Sequence, residues 1–315
     1  MDKAGGSGER NSGGISSGGG IGGLGLLLLA GLAGCQGSGG TPSLPVLATD
    51  QVIIAHRGAS GHAPEHTFAA YDLARAMGAE YLEQDISPTA DGVLVCLHDT
   101  TLDRTARGPA ENCTGSVSSK TLAQLRTCEV GSWFNESFPE RARPEYVGQP
   151  IPTLEEVFQR YGRSVNYYIE TKTSGGPVDV ERALYDLIVK YGLYEGMVSR
   201  RQVLVQSFQP QSLQAMRAID AAVPLVQLTP GGTLPLLPVI ASYAFGVGPP
   251  AGDASAELVT QAHALGLAVH PYTINETADL ETLAARCVDG LFTNFPDRYR
   301  AVLASRVLDC PPPIR

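Results

Sequence analysis

The sequence predicts an α/β chain folded as a (β/α)8 TIM barrel, with a small lid subdomain inserted after a β-hairpin. Three observations predict it. From Gln51 onward, eight short β-rich runs alternate with helical patterns, the mark of repeated βα units. Eight is the strand number that closes such a barrel. No segment resembles the glycine fingerprint of an open doubly wound sheet, which is the runner-up architecture.

The first 50 residues stand apart from that pattern. Residues 1–20 are rich in Gly and Ser and too polar to pack, and an apolar run follows from Ile21 to Leu32. A run of that length falls short of the roughly 20 residues that span a bilayer, but it fits the apolar region of a secretory signal. Leu32-Ala33-Gly34-Cys35 closes it with small residues before a cysteine, as in a bacterial lipoprotein cleavage site. The reading favoured is a signal peptide over 1–35, lipidation at Cys35, and a flexible Gly/Ser/Thr/Pro tether over 36–50. An ordinary signal peptide with an incidental Cys35 is the alternative. Either way the protein is expected to be exported, and a lipid anchor at Cys35 is its only expected link to a membrane.

The barrel then occupies 51–315. Its predicted strands are Val52–His56, Tyr81–Ile86, Asn166–Lys172, Val203–Phe208, Pro224–Leu228, Ala244–Gly248, Ala268–Ile274 and Asp289–Asn294. Between them the helical patterns are Thr67–Met77, Leu154–Tyr161, Val180–Tyr191, Gln211–Ile219, Ala256–Leu265 and Ala278–Arg286. The run Val93–His98 follows Ile86 too closely for a parallel crossover. Asp91-Gly92 is a hairpin turn signal, so this run folds back antiparallel on the second strand. A turn centred there sets Asp85 opposite His98. Residues 100–150 form an insertion too long for a plain loop.

Cysteine arithmetic bears on that insertion. Without Cys35 there remain Cys96, Cys113, Cys128, Cys287 and Cys310, an odd number in an oxidising compartment. Cys96 lies inside an apolar run and reads as the buried free thiol. The local pairings are then Cys113 with Cys128, stapling the lid, and Cys287 with Cys310. No spacing suits a structural zinc.

A net charge of −9 excludes the broad basic patch that nucleic acid requires, and argues against a wide anionic membrane surface as partner. An acidic enzyme working on an anion needs a local cation or a few placed basic side chains. Such groups occur at the strand ends. The first strand ends in His56-Arg57-Gly58, and the second carries Glu83 and Asp85, two apart and therefore on one face. The hairpin brings His98-Asp99, and the third barrel strand ends in Glu170-Thr171-Lys172. Strand C-termini meet at one mouth, so these groups converge. Three carboxylates without a thiolate make a hard oxygen site for one divalent cation, Ca²⁺ or Mg²⁺, held by Glu83, Asp85 and Glu170. His56 and His98 can then serve as catalytic base and acid. Arg57 and Lys172 supply charge for a phosphate; Glu170 and Lys172 could instead form a plain salt bridge. Gln206, Phe208 and Tyr272 are further substrate contacts, although an aromatic at a strand end is about as often core. Glu65 is either a helix-start carboxylate or a metal-side group. His62, His66 and His263 read as structural or exposed, and Trp133 as an anchor of the insertion.

The same residues carry a resemblance. His56-Arg57-Gly58, Pro64-Glu65-His66-Thr67 and the run Gly78 to Asp85 are similar to the glycerophosphodiester phosphodiesterase family. Asp91-Gly92 with His98-Asp99, Pro152-Thr153-Leu154, Glu170-Thr171-Lys172, His270 to Thr273 and Asp289 to Asn294 extend it in order. It spans roughly Val52 to Arg300, and so many ordered motifs are specific where any single one is weak. His66 stands where Asn is frequent in that family, and Asn294 where Asp is.

The resemblance implies metal-dependent hydrolysis of glycerophosphodiesters to an alcohol and glycerol 3-phosphate. His56 and His98 match the family's catalytic histidines, and Glu83, Asp85 and Glu170 its metal ligands. Alternatives are a lysophospholipase D-like phosphodiesterase on lysolipids, or a lipid-anchored surface binding protein that keeps the barrel without using it. An intact set of catalytic groups speaks against the last.

Overall fold

The computed structural model describes residues 50–172, 178–232 and 236–314. The proposed signal peptide and Cys35 lie outside the described residues, as does the tether apart from Asp50.

Nine strands form one sheet: β1 (Val52–Ala55), β2 (Tyr81–Pro88), β3 (Leu94–Cys96), β4 (Asn166–Thr171), β5 (Val203–Ser207), β6 (Leu225–Leu228), β7 (Gly246–Gly248), β8 (Ala268–Val269) and β9 (Gly290–Thr293). Eight are parallel, in the order β8-β7-β6-β5-β4-β2-β1-β9, with β3 paired to β2 off that path. Backbone bonds from Asp289 N to Val269 O (3.0 Å), Phe292 N to Pro271 O (3.0 Å) and Ile274 N to Phe292 O (2.8 Å) bring the last segments together. The nearly closed barrel of eight parallel strands with surrounding helices is the predicted TIM architecture.

Strand periodicity explains where the site sits. Ile54, Tyr81, Tyr168, Leu204, Val226 and Phe292 form a buried cluster inside the barrel. Side chains two residues further along each strand share the same face. That step leads to His56, Glu83, Glu170, Gln206, Leu228 and Asn294. One more step reaches Asp85, Lys172 and Phe208. The interior is thus plugged by apolar side chains below and polar at the mouth, a packed core and not a pore.

Around the strands, helices bury one apolar face each. The helix Phe68–Ala76 begins at Thr67, whose side chain accepts from Ala70 N. Leu154–Tyr161 starts with a capping box in which Thr153 and Glu156 satisfy each other's backbone N–H, worth about 1 kcal/mol. The six predicted helices are present within a residue at each end. Helices at Tyr194–Arg200, Leu237–Ala241 and Pro296–Ser305 were not anticipated. Gly196 depresses intrinsic helicity in the first, so packing decides it, while Pro238 sits in the first turn of the second, where proline is tolerated.

The hairpin forms, but its predicted register is corrected. Ile86 pairs with Cys96, Ser87 with Val95 and Pro88 with Leu94, and Leu97 N donates to Asp85 O at 3.0 Å. Asp85 therefore faces Leu97, not His98. The turn contains three residues, Ala90-Asp91-Gly92, closed by Thr89 N donating to Val93 O at 2.9 Å. Gly92 takes φ +82°, the left-handed position of a three-residue hairpin loop. A two-residue loop was assumed, and one extra residue shifts every pair by one.

Both predicted disulfides are formed, Cys113–Cys128 and Cys287–Cys310, and Cys96 is free and buried. The first lies in a small core that joins Val95 and Leu97 of the hairpin to Leu102, Val117, Leu125 and Val130 of the insertion. Trp133 packs with Phe134 and Tyr146 in a second cluster, as an anchor should.

Candidate active site

The mouth opens on a cavity of about 170 Å³. His56, Arg57, Glu83, His98, Glu170, Lys172, Gln206, Phe208 and Tyr272 all line it, together with Leu228, Thr273 and Phe292. Asp85, the remaining residue named from sequence, is buried beside it. None of the lining residues comes from 100–150. The insertion, expected as a lid, reaches the site through Arg104, which pairs with Glu65 and Asp99.

The turn after β1 is set by its backbone. Arg57 takes φ +59° and Gly58 φ +82°. A Cβ on Gly58 would lie 2.7 Å from the Ala70 carbonyl carbon, so glycine is required there twice over. The left-handed Arg57 is unfavourable for a side-chain-bearing residue. Its N–H donates to Glu83 Oε2 at 2.6 Å, which locks the end of β1 to β2.

Three carboxylates crowd this corner, each almost fully buried. Burial and the charge of Asp85 push Glu83 well above the ordinary carboxylate range. The same causes raise Glu170 to about 8. Burial acts on Asp85 as well. Its hydrogen bond from His66 and the charges of Lys172, His66 and Arg57 outweigh that, holding it well below the usual value. Lys172 Nζ sits 3.0 Å from Asp85 Oδ1 and 2.9 Å from Glu170 Oε1. Its ammonium bridges those two carboxylates while lining the cavity.

These features test whether a cation suits the site. Buried carboxylates that repel one another upward in pKa are a donor set short of positive charge. Asp85 Oδ1 has no well-aligned hydrogen-bond donor, and an ammonium bridges two carboxylates where a cation could. His66, Glu83 and Asp85 each offer a ligand atom within 4.8 Å of the others. The acidic cluster can hold a metal ion.

His66 is the residue that sequence reasoning undervalued. It is buried, with Nε2 2.9 Å from Asp85 Oδ2 and Nδ1 2.9 Å from the Tyr71 hydroxyl. Expected from sequence as structural or exposed, it is bonded to one candidate ligand and itself offers a ligand atom to the cluster. Its φ of +55° just before the helix cap turns it inward, which no sequence pattern announces. His62 and His263 are bonded to Asp297 and Asp289, away from the cavity. Glu65 accepts from Arg57 and Arg104, and stays ionised with a pKa of about 2, those donors overcoming its burial.

Each candidate catalytic imidazole has an orienting partner. His56 Nδ1 donates to Asn294 Oδ1 at 2.7 Å, which leaves Nε2 as the basic nitrogen. Burial, then the Arg57 charge, lowers its pKa to about 3, so the ring is neutral. His98 Nδ1 bonds to Asp99 Oδ1 at 2.7 Å. Burial lowers His98 too, opposed by the charge of Asp85 and the bond to Asp99. Asn294 and Asp99 were absent from the predicted site. Asn294 could have been found, because it lies two residues beyond the interior Phe292.

The opposite wall is apolar. Phe208 and Tyr272 meet edge to face at 5.7 Å, and the Tyr272 hydroxyl donates to Thr229 O at 2.7 Å. Gln206 Oε1 is buried with no donor among the described residues, an acceptor available to a ligand hydroxyl.

A barrel mouth with two oriented imidazoles over buried carboxylates is the arrangement the sequence resemblance requires. The model of the glycerophosphoryl diester phosphodiesterase family matches residues 56–298. The chain belongs to that family. A glycerophosphodiester phosphodiesterase of Bacillus subtilis (strain 168) is 40% identical over 263 residues, 82% of this chain and 88% of the relative. Among solved structures, a phosphodiesterase of Oleispira antarctica in complex with the product sn-glycerol-3-phosphate superposes with TM-score 0.67 at 26% identity. That match covers 80% of this chain and 96% of the other. The glycerophosphodiester phosphodiesterase of Agrobacterium tumefaciens str. C58 gives TM-score 0.64 at 26% identity, over 80% and 99%. As a family member the protein is an enzyme, a phosphoric diester hydrolase of the glycerophosphodiester phosphodiesterase kind. The reading as a surface binding protein is set aside.

Proposed function

We propose that the enzyme hydrolyses small glycerophosphodiesters to an alcohol and sn-glycerol 3-phosphate, in a metal-dependent reaction with two histidines as acid and base. The observation that carries this reading is the pair His56 and His98, each oriented by a fixed partner and both lining the cavity beside Glu83 and Glu170. Product capture by the Oleispira antarctica relative supports the substrate class.

In this mechanism Arg57 and Lys172, which line the cavity while paired to Asp85 and its neighbours, lend their positive charge to the phosphate. The neutral His56 takes the proton of the attacking hydroxyl through Nε2, a neighbouring glycerol hydroxyl of the substrate. As that oxygen bonds to phosphorus, the P–O bond to the leaving alcohol breaks and His98 supplies the alcohol's proton. The cyclic diester so formed is opened by water, with the two histidines exchanging roles. Asn294 and Asp99 keep each ring in register for both half-reactions. A Ca²⁺ or Mg²⁺ ion held by Glu83, Asp85 and Glu170 would polarise the phosphoryl oxygens and offset the charge developing there. A second reading, action on lysolipids, is favoured by Phe208, which is 40% exposed beside an apolar wall where an acyl chain could lie.

The test is to incubate the purified protein with glycerophosphocholine, glycerophosphoethanolamine and a lysolipid, and to measure glycerol 3-phosphate release. Release from the soluble diesters is expected. Lysophosphatidic acid formed from the lysolipid, with no glycerol 3-phosphate from the soluble diesters, would decide for the second reading.

Export and anchoring belong to the same proposal, supported by the apolar run and Leu32-Ala33-Gly34-Cys35. Cys35→Ala is expected to abolish acylation and release the protein from cell membranes. A mutant that still carries acyl chains would refute the anchor.

A further inference from the structure

At the N-terminal end of the barrel, opposite the mouth, five arginines stand without an acidic partner among the described residues. Two cavities open there side by side. One, of about 510 Å³, is lined by Arg201 and Arg217 at the starts of β6 and β7. The other, of about 390 Å³, is lined by Arg75, Arg163 and Arg200 at the start of β4. Among the described residues these side chains meet neutral groups. Arg75 stacks on Tyr161 and Arg201 on Phe245. Arg163 donates to Gly192 O, Arg200 to Gln202 Oε1 and Arg217 to Tyr243 O. Among the described residues none of the five joins an ion pair. By contrast Arg57, Arg104, Arg107, Arg126, Arg160 and Arg182 all do.

The acidic groups nearby are otherwise engaged. Glu80 accepts from Ile53 N, and Asp220 from Ala222 N and the Tyr185 hydroxyl. Glu195 lies in the first turn of its helix, the far end from Arg200. The net charge of −9 that argues against an anionic membrane surface is a sum over the whole chain, and this end departs from it as a local positive surface. Four of the five arginines are exposed and Arg201 is half-buried. They are spread beneath several strands and do not converge on one point, which suits a sheet of phosphates better than a single small anion.

We propose that this face docks on a bilayer leaflet bearing anionic phospholipid. Charge complementarity is one argument, and the course of the chain is the other. Asp50 directly precedes β1, whose N-terminal end opens on this same face, so the segment holding Cys35 joins the barrel there. Docking by the arginines turns the mouth away from the bilayer, toward soluble diesters. That consequence rests on the diester reading above, while the charge argument does not.

The experiment uses the full chain with Cys35→Ala, so that no lipid anchor contributes. It is sedimented with vesicles of phosphatidylcholine, and with vesicles of equal parts phosphatidylglycerol and phosphatidylcholine. Preferential binding to the anionic vesicles is expected, with loss as salt rises. Arg163→Gln and Arg217→Gln together, both exposed, should weaken it by about fivefold per arginine. Hydrolysis of a soluble diester without vesicles should be unchanged, which shows that the variant is folded. Equal binding to both vesicle types overturns the proposal, and so does an unaltered affinity in the double variant. Complete competition by millimolar inorganic phosphate at constant ionic strength would mean a small-anion site instead, and also overturns docking. Failure of the diester reading would appear separately, as absent turnover with vesicle binding intact.

Discussion

His56→Ala and His98→Ala are each expected to lower turnover of glycerophosphocholine by roughly 10²- to 10⁴-fold, the range for losing a general acid or base. Both rings are held by partners outside the carboxylate cluster, Asn294 and Asp99. Cation affinity should therefore change little in either variant. The double variant should be barely worse than the worse single one, because the two act in one proton relay. His62→Ala is the inert control, since His62 bonds to Asp297 away from the cavity. Steady-state kinetics with metal content checked on each variant is the measurement. Near-normal turnover in His98→Ala would remove it from the mechanism and leave the hairpin without a catalytic role.

Removing divalent cations with EDTA is expected to abolish activity, and Ca²⁺ or Mg²⁺ to restore it. The physical reason lies in the buried trio Glu83, Asp85 and Glu170, two of which are raised in pKa by burial and by Asp85. A cation that fits should also stabilise the fold, by about 2.7 kcal/mol at a hundredfold excess over its Kd. A rise in Tm on adding the ion would show this independently of turnover. His66→Ala separates ligation from catalysis. It leaves Asp85 Oδ2 without its 2.9 Å partner, so it should raise the cation concentration for half-activity and cost about 1–3 kcal/mol of stability. Turnover at saturating cation should stay within a few-fold. Full activity in chelator would sink the metal assignment, and an unchanged cation requirement in His66→Ala would sink the part given to His66.

Much of this was legible in the sequence because periodicity is a local property. The strand period of two along Tyr81–Asp85 and Tyr168–Lys172 states which side chains share a face, and the count of such runs states how the sheet closes. Nine of the ten residues proposed from sequence line one cavity, with Asp85 beside them, and the strand period accounts for those on the strands. The free Cys96 and both disulfides followed from the odd cysteine count and the apolar run around one of them.

What tertiary structure alone decided depends on backbone conformation and on partners remote in the chain. The hairpin register turned on one extra residue in the loop, set by Gly92 at φ +82° and by Asp91 accepting from Leu122 N in the insertion. His66 faces Asp85 because its own φ is positive, a state that local sequence does not encode for histidine. Arg57 holds such a state because Glu83 on the neighbouring strand accepts its N–H. The arginine face drew together residues from position 75 to 217, each unremarkable in its own segment. Sequence by itself determined the barrel, its mouth and the residue types gathered there, since strand period and strand count suffice for those. The pairing of each imidazole, the state of each carboxylate and the charge of the opposite face were decided by distances that only a closed barrel brings about.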